Sequence, residues 1–309
     1  MRGGELNPAE LLDVLEPTAA RLYDRHMGVA KEWFPHEYVP WSRGRDFDPE
    51  RPWSPDDADF GDGGWTLPEA VRASLFVNLL TEDNLPYYTR DISTIFGGDS
   101  AYGAWARNWT AEEGRHSIAI RDYLTVTRAL DPVELERARM QQVRGAQVPA
   151  PDDLFEALAY LSMQELATRI AHRNTGKLIG DQAGQDVMLR VGNDENLHFL
   201  FYRDLATSAL EADPSNMMIG IERAVRNFAM PGTGIPNFNE LAKQIANAGI
   251  YDFKIHHEQI LEPVVLRHWK VKDVTGLSAE GEKAREALIA RIDKIGRVAA
   301  RLSREPETV

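Results

Sequence analysis

The 309-residue chain contains no cysteine. That absence excludes disulfides, cysteine-held iron–sulfur clusters and a thiol nucleophile, so redox chemistry would have to come from a cofactor held by oxygen and nitrogen donors. Long apolar runs are also missing. No stretch approaches the roughly 20 residues that span a bilayer, and the mean hydropathy is -0.40. Positive charge is scarce: the formal net charge of -13 argues against nucleic-acid binding, which needs a concentrated cationic face. Sustained strand-like alternation occurs nowhere, so the predicted fold class is all-α.

What is present is mostly helical in period. The first thirty residues carry five acidic and three basic side chains, without the apolar run of a signal peptide or the acid-poor bias of a transit peptide. A cytosolic protein is the expectation, built as one domain over residues 1–309. Residues 43–64, rich in Asp, Gly and Pro, read as a long ordered loop. Residues 304–309 read as a flexible tail.

Four helical stripes follow the loop. Thr66 is positioned to cap a helix, with Pro68 near its first turn, and Val71, Leu75, Leu79 and Glu82 share one face. A helix over 100–129 aligns Trp105, Trp109, Glu113, His116 and Ile120. A third, over 153–179, aligns Leu158, Leu161, Glu165, Thr168 and His172. The fourth, over 186–210, aligns Met188, Val191, Glu195, His198 and Tyr202.

These stripes carry a repeated set of metal-ligand residue types. Glu113 and His116 form a Glu-x-x-His pair 31 residues after Glu82, and Glu195 and His198 form another 30 residues after Glu165. Positions i and i+3 lie on one helix face about 5 Å apart, so each pair can present a carboxylate and an imidazole to one metal. With 25 glutamates and 8 histidines, composition alone gives about 0.6 such pairs. Two pairs with matched upstream glutamates are not explained by that background. Burying four carboxylates without cations would cost several kcal/mol each. Two pairs plus two lone glutamates, drawn from four helices, are the ligand set of ferritin-like di-iron or di-manganese bundles.

Four carboxylates and two imidazoles suit iron or manganese better than zinc or copper. A carboxylate-bridged iron pair can pass electrons to dioxygen and attack an unactivated carbon–hydrogen bond. Thr168, one turn after Glu165, is a candidate hydroxyl near the oxygen site; the alternative is a helix-packing threonine. His172, His256 and His257 lack a Glu-x-x-His context and read as structural or surface residues. Trp33 and Trp109 read more readily as core aromatics than as site residues.

The motifs TEDNLP (81–86), WTAEEGRH (109–116), QELATRIAHRNTG (164–176) and NDENLH (193–198) resemble the ligand helices of the soluble acyl-acyl-carrier-protein desaturases. RHWKVKDVTGLSAEGEKARE (267–286) is similar to that family's C-terminal signature, and AIRDYLTVTRALDPVELER looks like its bacterial branch. The resemblance implies bridging roles for Glu113 and Glu195, terminal roles for Glu82 and Glu165, and one imidazole per iron from His116 and His198. It also implies that Asp194 supports His116, with Arg115 and Trp33 continuing an electron route to the surface. Gly114, Ser117 and the Asn196-Leu197 pair depart from the family pattern, and the last of these removes a basic pair.

The activity implied is O2-dependent desaturation of a fatty acyl chain on an acyl carrier protein, with electrons from a ferredoxin-type donor and a homodimeric assembly. Arg267, Lys270 and Lys272, or the segment from Lys283 to Arg301, are candidate patches for the acidic carrier. Another di-iron bundle oxidase, such as a radical-generating subunit or an N-oxygenase, is an alternative. So is a non-catalytic acyl-carrier or metal-binding protein.

Overall fold

The computed structural model describes residues 6–60 and 66–302. Eleven α-helices run through these residues, with short 3-10 turns and no strand among them: α1 (Pro8–Val29), α2 (Glu69–Glu82), α3 (Leu85–Phe96), α4 (Ser100–Val126), α5 (Pro132–Gly145), α6 (Leu154–Leu178), α7 (Gln182–Ala212), α8 (Pro214–Asn227), α9 (Phe238–Asn247), α10 (Phe253–His256) and α11 (Ala279–Leu302). From α10 the chain continues as a π-helix over His257–His268, and Pro263 lies inside those widened turns. Proline lacks the N–H of a regular helix, so an irregular ladder is where it is tolerated.

The ends of the helices follow local chemistry. Asn7 caps α1 in a reciprocal box with Glu10, Asp131 caps α5, and Asp153 and Asp181 accept amide hydrogen bonds at the starts of α6 and α7. At α2 the expected cap fails: the N-cap is Pro68, with no side-chain hydrogen bond. Thr66 lies two residues too early to reach the first free amides. The fourth ligand helix begins at Gln182, four residues before the predicted start, because Asp181 supplies its cap.

Residues 43–60 form a loop with a 3-10 turn at Pro55–Asp57. Arg128 holds it by donating to the carbonyls of Arg45 and Asp46, and Trp53 Nε1 donates to the Arg128 carbonyl at 3.0 Å. Residues 61–64 of the predicted loop and the predicted tail over 304–309 lie outside the described residues.

The bundle is made by α2, α4, α6 and α7, with α6 and α7 packed most extensively. Two apolar cores fill it. One joins Trp105, Met163, Phe201, Tyr202 and Leu205 to α1, α8 and α11, and the other joins Val71, Leu75, Leu79, Ile120, Leu124, Met188 and Val191. Between the two cores, at the middle of α4 and α7, the inward positions are acidic residues and histidines instead of apolar side chains. Among the described residues no helix is long and apolar enough to cross a membrane.

Candidate metal centre

Four helices deliver the six predicted ligands. Glu82 is the last residue of α2. Glu113 and His116 face inward from α4, Glu165 from α6, and Glu195 and His198 from α7. The six range from 0% exposure at His116 and His198 to 7% at Glu113.

Their donor atoms fall into two groups. Glu82, Glu113, His116 and Glu195 bring one donor each within 4.8 Å of one another, and Glu113, Glu165, Glu195 and His198 do the same. Glu113 and Glu195 belong to both groups, as bridging carboxylates would. Glu82 with His116, and Glu165 with His198, each belong to one. Either group could hold a metal ion.

Ring orientation sharpens this fit. His116 Nδ1 lies 3.4 Å from Glu113, 3.4 Å from Glu195 and 3.8 Å from Glu82. His198 Nδ1 lies 2.9 Å from Glu113 and 3.7 Å from Glu165. Both Nδ1 atoms are buried and lack a hydrogen-bond partner of acceptable geometry. Both Nε2 atoms point the other way, to Asp194 at 3.4 Å and to Glu112 at 2.8 Å. An imidazole that donates Nε2–H to an outer carboxylate leaves its Nδ1 lone pair directed at the cluster, as a metal ligand requires. With all-oxygen and nitrogen donors and no sulfur, the set fits iron or manganese.

The electrostatics follow from packing four carboxylates and two imidazoles together out of water. Burial, together with the charges of Glu195 and Glu113, pushes Glu165 well above the usual carboxylate range. Burial and Glu195 likewise raise Glu113. Burial also opposes the anion at Glu195, but the adjacent imidazoles of His116 and His172 hold it well below the usual range. Burial disfavours a charged imidazole, yet the charge of Glu113 and the hydrogen bond to Asp194 raise His116 well above its ordinary value. His198 is raised in the same way by Glu112, Glu113 and Glu165. Bound cations would balance the charge of the four buried carboxylates, and metal binding to such ligands is linked to proton release.

The outer partners surround this core. Trp33 Nε1 donates to Asp194 at 2.7 Å, and Arg190 is paired with the same carboxylate. Arg115 donates to the Trp33 carbonyl at 3.3 Å, and its guanidinium lies 3.6 Å from Glu112 and 3.8 Å from Asp194. One arginine therefore serves both outer carboxylates. Thr168 Oγ1 donates to Glu195 at 3.0 Å, and Trp109 Nε1 donates to Glu165 at 3.2 Å. Trp109 is thus a site residue as well as a core aromatic.

Sequence reasoning missed three members. Glu112 joins His198 to His26, which lies 3.1 Å away on α1. The available signal was the acid directly before each glutamate shared by the two groups, Glu112-Glu113 and Asp194-Glu195. His172, read from sequence as structural or surface, is corrected: it is buried, with Nε2 3.2 Å from Glu82 and 3.6 Å from Glu195. Its place on the Glu165–Thr168 stripe was the signal. His256 is also buried, hydrogen-bonded to Tyr251 and away from the cluster.

Two cavities bear on a reaction at the centre, and the inner one is lined by its acidic residues. A narrow one of about 50 Å³ is lined by Glu82, Trp109, Glu113, Thr168 and Glu195 at one end and by Pro149, Pro151 and Ala157 at the other. A wider groove of about 760 Å³ is lined by Val77, Phe228, Met230, Phe238, Lys254 and Ile295, among others. The two share no lining residue but run along neighbouring residues: Val77 and Asn78 line the groove and Thr81 and Glu82 the inner cavity, as do Met230 and Pro231 respectively.

With this geometry in place, comparison with known proteins gives a consistent answer. A family model described as fatty acid desaturase matches residues 7–308. The chain is 39% identical over 294 residues to DesA1 of Mycobacterium tuberculosis, provisionally named an acyl-[acyl-carrier-protein] desaturase, covering 92% of this chain and 85% of that protein. It is 30% identical over 262 residues to the chloroplastic stearoyl-[acyl-carrier-protein] 9-desaturase of Simmondsia chinensis, covering 77% of this chain and 65% of that one. Among solved structures, DesA2 of Mycobacterium tuberculosis superposes with a TM-score of 0.69 at 26% identity, over 86% of this chain and 97% of that chain. A helical bundle of ferritin-like architecture, an acidic and histidine-bearing layer between its cores, and a family match over nearly all its length together place this chain in the fatty acid desaturase family.

Proposed function

We propose that the protein is an acyl-acyl-carrier-protein desaturase that holds two iron ions with Glu82, Glu113, His116, Glu165, Glu195 and His198. The observation that carries this reading is the pair of donor groups sharing Glu113 and Glu195, with a slender cavity running along them. The balanced reaction is –CH2–CH2– + O2 + 2 e⁻ + 2 H⁺ → –CH=CH– + 2 H2O. When bound, the irons supply the redox chemistry that transfers these electrons to dioxygen.

The protein's own part is positional and electrostatic. The acyl chain enters by the outer groove and lies in the inner cavity, where apolar side chains such as Ile92, Ile95 and Leu161 exclude water and hold one carbon pair beside the centre. Thr168, in the wall of that cavity, holds a hydroxyl proton against Glu195. Asp194 and Glu112 orient the imidazoles of His116 and His198, and Arg115 and Trp33 pin Asp194 in turn.

A chain without cysteine cannot hold an iron–sulfur cluster on thiolates, so the electrons come from outside, and a ferredoxin-type protein is the donor in this reading. The acyl carrier protein docks at the mouth of the outer groove, where Ile295 of α11 and Lys254 lie. A single-domain homodimer in the cytosol completes the reading, and light scattering of the purified protein checks the assembly.

The test is direct. The iron-loaded chain is incubated with a series of acyl-carrier-protein thioesters, a reductant and oxygen, and the acyl products are analysed by mass spectrometry. A product two mass units lighter, absent in Glu113→Ala, is expected. Stoichiometric iron with no lighter product from any chain length would overturn the catalytic reading.

A further inference from the structure

The end of the inner cavity opposite the metal centre is a thin partition. Beyond it lies a surface cleft of about 320 Å³, lined by Val148, Asp152, Glu156, Asn227 and Ala229, among others. The outer groove shares no lining residue with the inner cavity, but this cleft shares three: Pro149, Pro151 and Tyr160. Those three face the cavity on one side and the cleft on the other, so one layer of side chains separates the two spaces. Tyr160 lies on α6, eight residues before Thr168, about 12 Å along the helix. An acyl tail that runs along α6 from the metal centre therefore meets this partition.

The partition is lightly held. The Tyr160 hydroxyl donates to the Ala229 carbonyl at 3.1 Å, a neutral bond of modest net worth. Pro149 and Pro151 have no backbone N–H to donate, and residues 147–151 make no backbone–backbone hydrogen bond among the described residues. A segment held by packing alone opens at low free-energy cost. The flanking walls are firmer. Arg223 of α8 is paired with Asp153 at the start of α6, and Asn227 Nδ2 donates to Glu156 at 3.3 Å. The yielding parts are thus the proline strap and the Tyr160 ring. Because Glu156 and Asn227 bond to each other, Val148, Pro149, Ala224 and Ala229 are left to cover methylene groups in the cleft.

We infer that this partition is a gate: the tail of an acyl chain longer than the inner cavity displaces the Tyr160 ring from its bond to Ala229 and extends into the cleft. The substrate class is then a long-chain acyl thioester whose methyl end reaches the surface. The inner cavity sets where the chain lies beside the metals but imposes no fixed upper length. Methylene groups covered in the passage offset the lost hydrogen bond. The inference rests on the desaturase reading for the acyl thioester and adds an outlet for its tail.

The test uses the full-length, iron-loaded chain and a series of saturated acyl-carrier-protein thioesters of increasing length, each ending in a trifluoromethyl group. Without reductant, fluorine NMR measures the relaxation that a water-soluble gadolinium complex adds to the bound terminal group. That added relaxation is expected to be small for chains that end inside the cavity and to rise several-fold once the tail passes Tyr160. In Tyr160→Ala the rise should begin at a shorter chain. Ala150 lines the cleft at an exposed position, so Ala150→Trp obstructs the outlet without loading the core. It is expected to lower the ratio of long-chain to medium-chain kcat/KM on the order of tenfold. A terminal group shielded at every length in the wild type would overturn the gate, as would a wild type that binds no chain longer than the cavity or a ratio unchanged in Ala150→Trp. Exposed tails with no desaturated product at any length would support the gate and strike the desaturase reading instead.

Discussion

The Nε2 atom of His198 lies 2.8 Å from the Glu112 carboxylate, the counterpart of the 3.4 Å contact between His116 and Asp194. Each outer acid directly precedes a shared glutamate on the opposite helix of the α4–α7 pair. Each one holds the imidazole contributed by the other helix. Loss of such an outer partner typically lowers metal affinity or activity about 10- to 100-fold. Glu112→Gln is therefore expected to lose iron faster than wild type under chelator challenge, with the fold intact by circular dichroism. Asp194→Asn should behave alike. Wild-type iron retention in Glu112→Gln would mean that the contact does not orient His198.

The metal-free protein should be sensitive to alkali. Burial opposes a charged His172, but hydrogen bonds to Glu195 and Glu82 raise its pKa from 6.5 to about 9; His116 and His198 are raised too. A raised histidine stabilises the fold fully below its unfolded pKa, and that contribution is lost as pH climbs through the folded value. The melting temperature of chelator-treated protein is expected to fall between about pH 6.5 and about 9, with a shallower fall in His172→Gln. Metal loading should flatten the profile, since the ions replace the protons. A melting temperature that is flat or rises across this window in the metal-free chain would contradict the assignment.

The two Glu-x-x-His pairs and the upstream glutamates made the ligand layer legible, because i, i+3 spacing on a helix has a single geometric consequence. The central helices were legible for the same reason, within a few residues at most ends. Thr66 failed as a cap because the backbone conformation at Pro68 started the helix later than the side-chain pattern suggested. The stripe shared with Glu165 and Thr168 pointed to His172, but the partners of His172 and His26 could not be read from spacing: their contacts with Glu82 and Glu112 join helices 90 and 86 residues apart in the chain. Only the packing of four helices creates those contacts.

Ala157 offers a way to change substrate length without touching the metals. It lies in the inner cavity near Pro149 and Pro151, on the same helix as Thr168 but eleven residues earlier, a distance of about 16 Å along an α-helix. A larger side chain there should shorten the space left for the acyl tail. Ala157→Phe is expected to reduce kcat/KM for the longest accepted chain by about tenfold, the order of discrimination that apolar crowding gives, and to favour shorter chains. Iron content should be unchanged. An unaltered chain-length profile would place the acyl tail elsewhere.

The carrier-docking assignment makes a complementary demand on α11. Lys294 and Arg297 are exposed on that helix and flank Ile295, which lines the outer groove, while Lys254 lines it from α10. Acyl carrier proteins are acidic, so these cations supply complementary charge at the point where the acyl arm must enter. Rim charges act mainly on encounter and on salt dependence. Lys294→Glu/Arg297→Glu is expected to raise KM for acyl-acyl-carrier-protein several-fold at low salt, with kcat and ferredoxin affinity unchanged. The difference should shrink as salt is raised, because screening removes the attraction that the substitution deletes. If kcat falls while KM holds, the helix acts on the chemistry and the carrier docks on another face.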